Sequence, residues 1–546
     1  MKLLKMKNRK LIFLSTFLVI FLLFSFQSRF FEIAKQIEIY NNLFKELNIN
    51  YIDEINPGEL TNKAIKNTLK SLDPYTNFYN EQDVEDARIR REGEYGGIGI
   101  STFYIKQGIV IADIHKGFSA DNAGLKIGDI ITTVNGQKLA DLEKSQYSQM
   151  IKGTPNKEIS LIFTRNGKVK KTRLQLDKII VNPVPFYDMI DDETGYIILT
   201  RFTNQKATQQ VAKAFTELKE KGMKKLVFDL RSNPGGSLFD AVNITNLFIP
   251  KGLKVVDTRG KIKKNSRTYK TNREPLDTEI PIVVLINDRS ASASEIVSGA
   301  LQDYDRAVIM GERSFGKGLV QRYFELNYGT QMKATISKYY TPSGRCIQEL
   351  DYANRDAKTG KVPKFSDGNV SLFTTKNGRT VYDGGGVTPD IKMGFSKKTS
   401  ETKKLLKSRV IFNFATDFAN NNPNFNTENY LFKSNDFKKF KNYLLQKDTA
   451  FVTKEEKLFK SAFTAVKNNT NISTEYSTIL EKLKKEKVKK IALNEDVLLK
   501  EIQNEIIKRY VYKEGVFKHQ LKNDKTINKA VNLLKNQKKY TAILTK

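Results

Sequence analysis

Residues 287–321 read "NDRSASASEIVSGALQDYDRAVIMGERSFGKGLVQ", and the fold can be worked outward from this stretch. Just before it, "PIVVLIND" (281–288) is a short apolar run of the kind a strand buried on both faces requires. Small residues follow, then the helical pattern "SASASEIVSGALQDY" (290–304), then a second strand, "RAVIMGE" (306–312). The same alternation extends upstream. "GYIILTRF" (195–202) reads as a strand and "QKATQQVAKAFTELKEKG" (205–222) as a helix closed by a glycine. "KKLVFDLRSNPGG" (224–236) is a strand running into a Gly loop, and "SLFDAVNITNLFI" (237–249) is a helix. Strand and helix in turn predict a mixed α/β core over residues 179–395, interrupted by a polar, Gly-rich insertion at 349–383.

Three serines, Ser290, Ser292 and Ser294, stand at the mouth of the 290–304 helix. A serine there either caps the helix or serves as a nucleophile on a strand-to-helix turn, with helical amides at hand for an oxyanion. Ser290 reads as the cap, while Ser292 and Ser294 remain open between the two roles. Lys317 lies between Gly316 and Gly318, where an ordinary surface lysine gains nothing from its neighbours. Burial without an acidic partner would lower its pKa and make it a usable base. The whole chain holds two histidines, His115 and His519, neither near this segment, which leaves a Ser-Lys pair as the available design.

The 546 residues suffice for two to four domains. The single Cys346 excludes an intrachain disulfide, and so few cysteines and histidines exclude a Cys/His zinc cage. Net charge is +32, of which +15 falls in residues 401–546, with 31 basic and 16 acidic side chains. No RNA-binding aromatic pattern, zinc finger or helix-turn-helix accompanies that charge, so it reads as a lysine-rich solvated surface rather than a nucleic-acid site.

At the N-terminus, "MKLLKMKNRK" precedes the uncharged run "LIFLSTFLVIFLLFSF" (11–26). This predicts a signal anchor or signal peptide over residues 1–30, with everything beyond it outside the membrane. Residues 31–90 read as helical, broken by "SLDPYTNFYN" (71–80), where Asp-Pro forces a turn. Residues 396–546 read as a lysine-rich helical extension.

Residues 91–178 form a small β-rich unit, with strands such as "GIVIADI" and two Asn-Gly turns. "EYGGIGI" (94–100) would let successive backbone N–H groups converge on a carboxylate beside an open strand edge. Together with "GFSADNAGLKIGDIITTVNGQKL" it resembles a PDZ domain. The resemblance implies binding of free polypeptide C-termini through the backbone of Gly96, Gly97, Ile98 and Gly99.

Five separated blocks, "SLDPYTNFY", "DLRSNPGG", the 287–321 stretch, "KYYTPSGRCIQ" and "GGGVTPD", resemble in order those of the C-terminal processing (tail-specific) proteases. These are Ser/Lys peptidases with an embedded PDZ domain. The likeness spans residues 35–395. It implies an α/β multidomain protein whose protease core is of the crotonase/ClpP-like kind, and no cofactor or metal. Block by block, it makes Ser292 the nucleophile, Lys317 the base and Gln321 the residue that orients the lysine amine. Ala293 and Gly235 or Gly236 would supply oxyanion amides, and Asp303 structural support. The expected partners are polypeptide substrates with free C-termini, besides an adaptor or a second copy of the chain, with no nucleic acid. The expected location is the bacterial cell envelope, anchored to the inner membrane or secreted to the periplasm. The alternative from a binding class is a catalytically silent PDZ scaffold. Two features depart from the family pattern: Arg289-Ser290 replaces the common glycine-serine pair, and the 349–383 insertion separates two blocks that usually adjoin.

Overall fold

The computed structural model describes residues 30–92, 94–203, 206–368, 370–394, 398–446, 451–465 and 470–545, in two units that divide between Phe78 and Tyr79. The anchor segment anticipated at 1–30 lies outside these residues, apart from its last position. Among the described residues, no helix is long and apolar enough to cross a membrane.

In the first unit, residues 30–50 are helical, and a second helix spans Pro57–Lys70. Asn56 caps that helix by accepting from the Glu59 amide at 3.1 Å, and Pro57 takes the first position, where no N–H is needed. The Asp-Pro turn forms as expected: one Asp73 oxygen accepts from the amides of Tyr75 and Thr76, at 2.7 and 2.8 Å.

The second unit opens with the small β domain. Strands Ile100–Ile105, Gly108–Ile114, Ile130–Val134, Glu158–Arg165 and Lys168–Gln175 pair in that order, all antiparallel. Both Asn-Gly turns carry two consecutive positive φ values, 48° and 82° at 135–136 and 51° and 73° at 166–167, the primed geometry that matches strand twist. Strand Ile100–Ile105 is an edge of the sheet.

The larger core is a six-stranded sheet in the order Phe186–Met189, Thr194–Ile198, Lys225–Asp229, Ile282–Ile286, Val308–Gly311, Ile391–Lys392. The first pair is antiparallel and the remaining pairs are parallel. All five residues of Ile282–Ile286 are buried, as a strand covered on both faces demands. One face receives helices Lys206–Glu220, Leu238–Asn246 and Ala293–Asp303, whose Phe215, Ile244 and Val297 join Phe228 and Val284 in one cluster. A second sheet lies beyond: Lys254–Gly260 pairs with Arg267–Lys270 and Gln331–Tyr340, and the latter with Leu319–Glu325. Within the 349–383 insertion, Leu372–Thr374 and Thr380–Tyr382 make a hairpin that Arg379 fastens to Asp305 and Asp390.

The C-terminal extension is helical, and it belongs to the core. Helices Lys525–Lys535 and Gln537–Leu544 cover the other face of the six-stranded sheet. Ile527, Ala530, Val531 and Leu534, at helical i, i+3, i+4, i+7 spacing, join Val227, Val283, Leu285 and Met310 in one cluster. The Tyr540 hydroxyl accepts from Ile282 N (3.0 Å) and donates to Ile282 O (3.1 Å). Helix Glu495–Asn523 bends at Val511–Tyr512, where Tyr512 has φ 56°. There the Tyr512 hydroxyl bonds Asp121 and Lys513 pairs with Asp113, both in the small β domain.

Candidate active site

The strand Ile282–Ile286 delivers the chain into a turn that sorts the three serines. Ser290 is fully buried, accepts from Asn287 N (2.9 Å) and donates to Leu230 O (2.8 Å). Ser294 is fully buried and donates to Asn233 O (2.9 Å). Both hydroxyls are therefore committed to structure. Ser292 is the helix N-cap residue, in place of the Ser290 expected there, and Glu295, three residues on, returns a hydrogen bond to its amide. Its backbone has φ 58° and ψ −112°, a conformation that costs a non-glycine residue roughly 1–3 kcal/mol. Strain of this kind persists where surrounding contacts over-determine it, and here they are visible. The Tyr339 hydroxyl donates to Ser292 O at 3.0 Å, and Ser292 N donates to Glu295 Oε2 at 2.7 Å.

Glu295 is the residue sequence reasoning missed. Fully buried, it accepts from Ser292 N, Lys317 N (3.0 Å), Gly316 N (2.7 Å) and Ser314 Oγ (2.6 Å). One carboxylate thus fixes the backbone of the serine to the backbone of the lysine. Burial pushes this carboxyl above its ordinary pKa, while those hydrogen bonds pull the other way. The available signal was Ser292-x-x-Glu295, the capping-box spacing.

Lys317 is partly buried and lies two residues before strand Leu319–Glu325. Its flanking glycines have a packing reason. Gly316 sits at φ +84°, and a Cβ there would lie 2.6 Å from Glu349 Cβ; one at Gly318 would lie 2.8 Å from Gln348 N. Gln321 follows on the same strand, its amide nitrogen 3.3 Å from Thr335 Oγ1. Asp303, at the far end of the serine's helix, accepts from Arg345 Nη2 and Ser343 N at 2.8 and 2.9 Å.

The Gly loop packs directly on the serine. A Cβ at Gly235 would lie 2.8 Å from Ser292 Cβ and 2.9 Å from Ala293 N, so this position must be glycine. The structure separates the two candidate amides. Gly235 N is committed to Asn233 Oδ1 at 2.9 Å, which corrects the expectation that it stands ready as an oxyanion donor. Gly235 O and Ser237 N both bond Phe202, at 3.1 and 2.9 Å, which turns the Gly236 amide to the opposite side of the loop. Ala293 N, in the first turn of its helix, lacks an intrahelical acceptor.

In the small β domain, the four glycine-loop residues part ways. Gly96 and Gly97 lie in strand Glu94–Gly97, paired with Asp177–Ile180. Gly96 is glycine because a Cβ would meet Gly153 O at 1.7 Å, so packing against residue 153 accounts for it. Ile98 is buried in the domain core, and its carbonyl accepts from Ala120 N. Gly99 has φ +77° and opens onto the edge strand Ile100–Ile105.

Comparison with known proteins agrees with this architecture. Residues 193–354 match peptidase family S41, residues 96–176 match a PDZ domain, and residues 401–534 match the "Probable PDZ-protease, C-terminal helical domain". A carboxy-terminal-processing protease of Bartonella bacilliformis is 32% identical over 320 residues, covering 58% of this chain and 73% of its own length. A "Probable CtpA-like serine protease" of Staphylococcus aureus is 33% identical over 332 residues, covering 60% of this chain and 66% of its own. Among solved structures, the photosystem II D1 C-terminal processing protease is similar at 24% identity and a TM-score of 0.37, over 65% of this chain and 92% of that one. Fold and matches together define a serine-type peptidase with an embedded PDZ domain. The chain belongs to the carboxy-terminal-processing proteases.

Proposed function

We propose that this protein is an endopeptidase that captures the free C-terminal tail of a polypeptide in its PDZ domain and cleaves the chain at Ser292. The Ser292 hydroxyl attacks the scissile carbonyl while the Lys317 amine takes its proton. The amides of Ala293 and Gly236 receive the developing oxyanion, and Gln321 orients the lysine. Collapse of the tetrahedral intermediate expels the C-terminal fragment as an amine, protonated from Lys317, and leaves an acyl-enzyme. Water, deprotonated by the same lysine, hydrolyses the ester and restores the serine.

One observation carries this reading: a strained serine at a helix mouth, whose backbone shares a buried carboxylate with the backbone of a lysine. The amine must be held neutral, since at an ordinary pKa about one lysine in 2,500 is neutral at pH 7. The edge strand Ile100–Ile105 offers the tail a place to pair, with the amides around Ile98 and Gly99 nearest its carboxylate. The basic, then apolar N-terminal segment supports work in the bacterial envelope, on the outer side of the inner membrane.

The test is incubation with an unfolded protein bearing an apolar C-terminus, wild type beside Ser292→Ala, with products read by mass spectrometry. Fragments should appear with wild type alone. Cleavage by the variant would remove Ser292 from the reaction.

A further inference from the structure

Arg231 stands at the foot of the loop that ends in Gly235 and Gly236. Its Nε lies 3.0 and 2.9 Å from the two oxygens of Asp229, and its Nη1 donates to Asp524 Oδ2 at 2.9 Å. Asp229 is itself held by the Tyr196 hydroxyl (2.8 Å) and by the amide of Arg231 (2.9 Å). Asp524 comes from 293 positions away, at the junction of helices Glu495–Asn523 and Lys525–Lys535. It caps the second of these, accepting from Thr526 N and Ile527 N, and also takes the ammonium of Lys500 at 2.6 Å. The side chains of Arg231, Asp229 and Asp524 are 14%, 1% and 2% exposed.

Two features show why the loop needs this strut. Ser232, the next residue, has a positive φ of 60°, so the turn is not one the backbone adopts by itself. Beside it lies a cavity of about 310 Å³, lined by Arg231, Ser232, Asn287, Arg289, Lys500 and Glu501. On that side the loop rests against space rather than packed atoms. At its Gly end the loop is held by Asn233, bonded to Leu199 O (2.8 Å), and by Phe202; at its foot the ties are Ser232 to Asn287 (2.8 Å) and Arg231 to the two carboxylates. Two buried carboxylates against one guanidinium and one ammonium add little net stability, yet they set geometry.

We infer that Asp524 is a positioning residue for the peptidase reaction: from the C-terminal helices it holds Arg231, and through Arg231 the loop that presents the Gly236 amide to the oxyanion. This rests on the reading of that loop given above. Asp524→Ser separates the role from mere folding, because serine is as good a helix cap as aspartate but too short to reach Arg231. In the full-length protein, Asp524→Ser should lower kcat on a tailed peptide substrate by roughly 10- to 100-fold, as a misplaced catalytic group does. KM should stay near wild type, and the thermal midpoint should fall, since a buried ion pair loses one partner, so kcat is read per folded molecule well below that midpoint. Lys500→Met should lower kcat in the same direction by less. If Asp524→Ser does not fold, Asp524→Asn and Lys500→Met decide by the same split between kcat and KM. A kcat within twofold of wild type, or activity lost in proportion to folded protein, would overturn the inference. Run in parallel, an active Ser292→Ala would discard the reading of Ser292 as nucleophile, whereas an inactive one beside a normal Asp524→Ser discards the strut alone.

Discussion

Ser292, Lys317 and Glu295 carry different kinds of risk when changed. Ser292→Ala removes the proposed nucleophile. Lys317→Arg keeps the charge but installs a group that cannot act as a base. Each should lose on the order of 10⁴- to 10⁶-fold in kcat while peptide binding persists, measured by single-turnover cleavage beside a binding titration. Glu295→Gln has a different signature. Burial holds the Glu295 carboxyl above its ordinary value, so the folded protein binds that proton more tightly than the unfolded chain. The stabilisation is complete below the unfolded pKa of about 4.3 and is lost as pH rises through the folded value. A glutamine has no such slope. Urea midpoints from pH 4 to 8 should therefore move in the variant's favour relative to wild type as pH rises; the opposite trend would mean the carboxyl is not raised. At this scale the sequence was readable in part. Local pattern marked Ser290 as the cap and left Ser292 and Ser294 alike, and family resemblance chose between them. The distinction is physical but tertiary, since Ser290 and Ser294 are spent on the carbonyls of Leu230 and Asn233, some sixty positions away. Gly235 likewise advertised its flexibility and hid the fact that Asn233 takes its amide.

Among the elements, alternating strands and helices of the core were legible because a strand buried on both faces is apolar throughout, as Ile282–Ile286 is. Primed hairpins announced themselves through Asn-Gly. The C-terminal helices were legible as helices and illegible as a layer. An amphipathic stripe states that something covers it and does not name the partner. Tyr540 makes this concrete: its hydroxyl bridges both backbone polar groups of Ile282, in the centre of the sheet. Tyr540→Phe should strand them in an apolar setting and cost about 1–3 kcal/mol, seen as a lower denaturation midpoint of the catalytic unit. Leu534→Ala, which opens a cavity on the same face, should cost roughly 2–5 kcal/mol. If neither moves the midpoint, the last helices are not a structural face of the sheet.

For the molecule as a whole, the sites proposed for tail capture and for cleavage lie in separate domains of one unit, and the C-terminal helices touch both domains. Amidating a substrate's C-terminus deletes one charge at the tail and leaves the cut site unchanged. Loss of a charge-assisted hydrogen bond of about 1.5–3 kcal/mol predicts a KM raised by roughly tenfold or more, with kcat little changed. Equal cleavage of amidated and free tails would rule out capture by the PDZ groove. The net charge of +32 was visible from the start but says nothing of this geometry, because charge counts describe surfaces and not sites.

The contact between Arg231 and Asp524 spans 293 positions, and that between Ile282 and Tyr540 spans 258. A ribosome finishes both strands long before it makes the helices that clad them. Until the last turns emerge, the nascent polypeptide carries a half-bare apolar sheet that invites chaperones and aggregation. A chain halted before residues 525–544 therefore lacks one whole face of the sheet whose strand Ile282–Ile286 leads to Ser292.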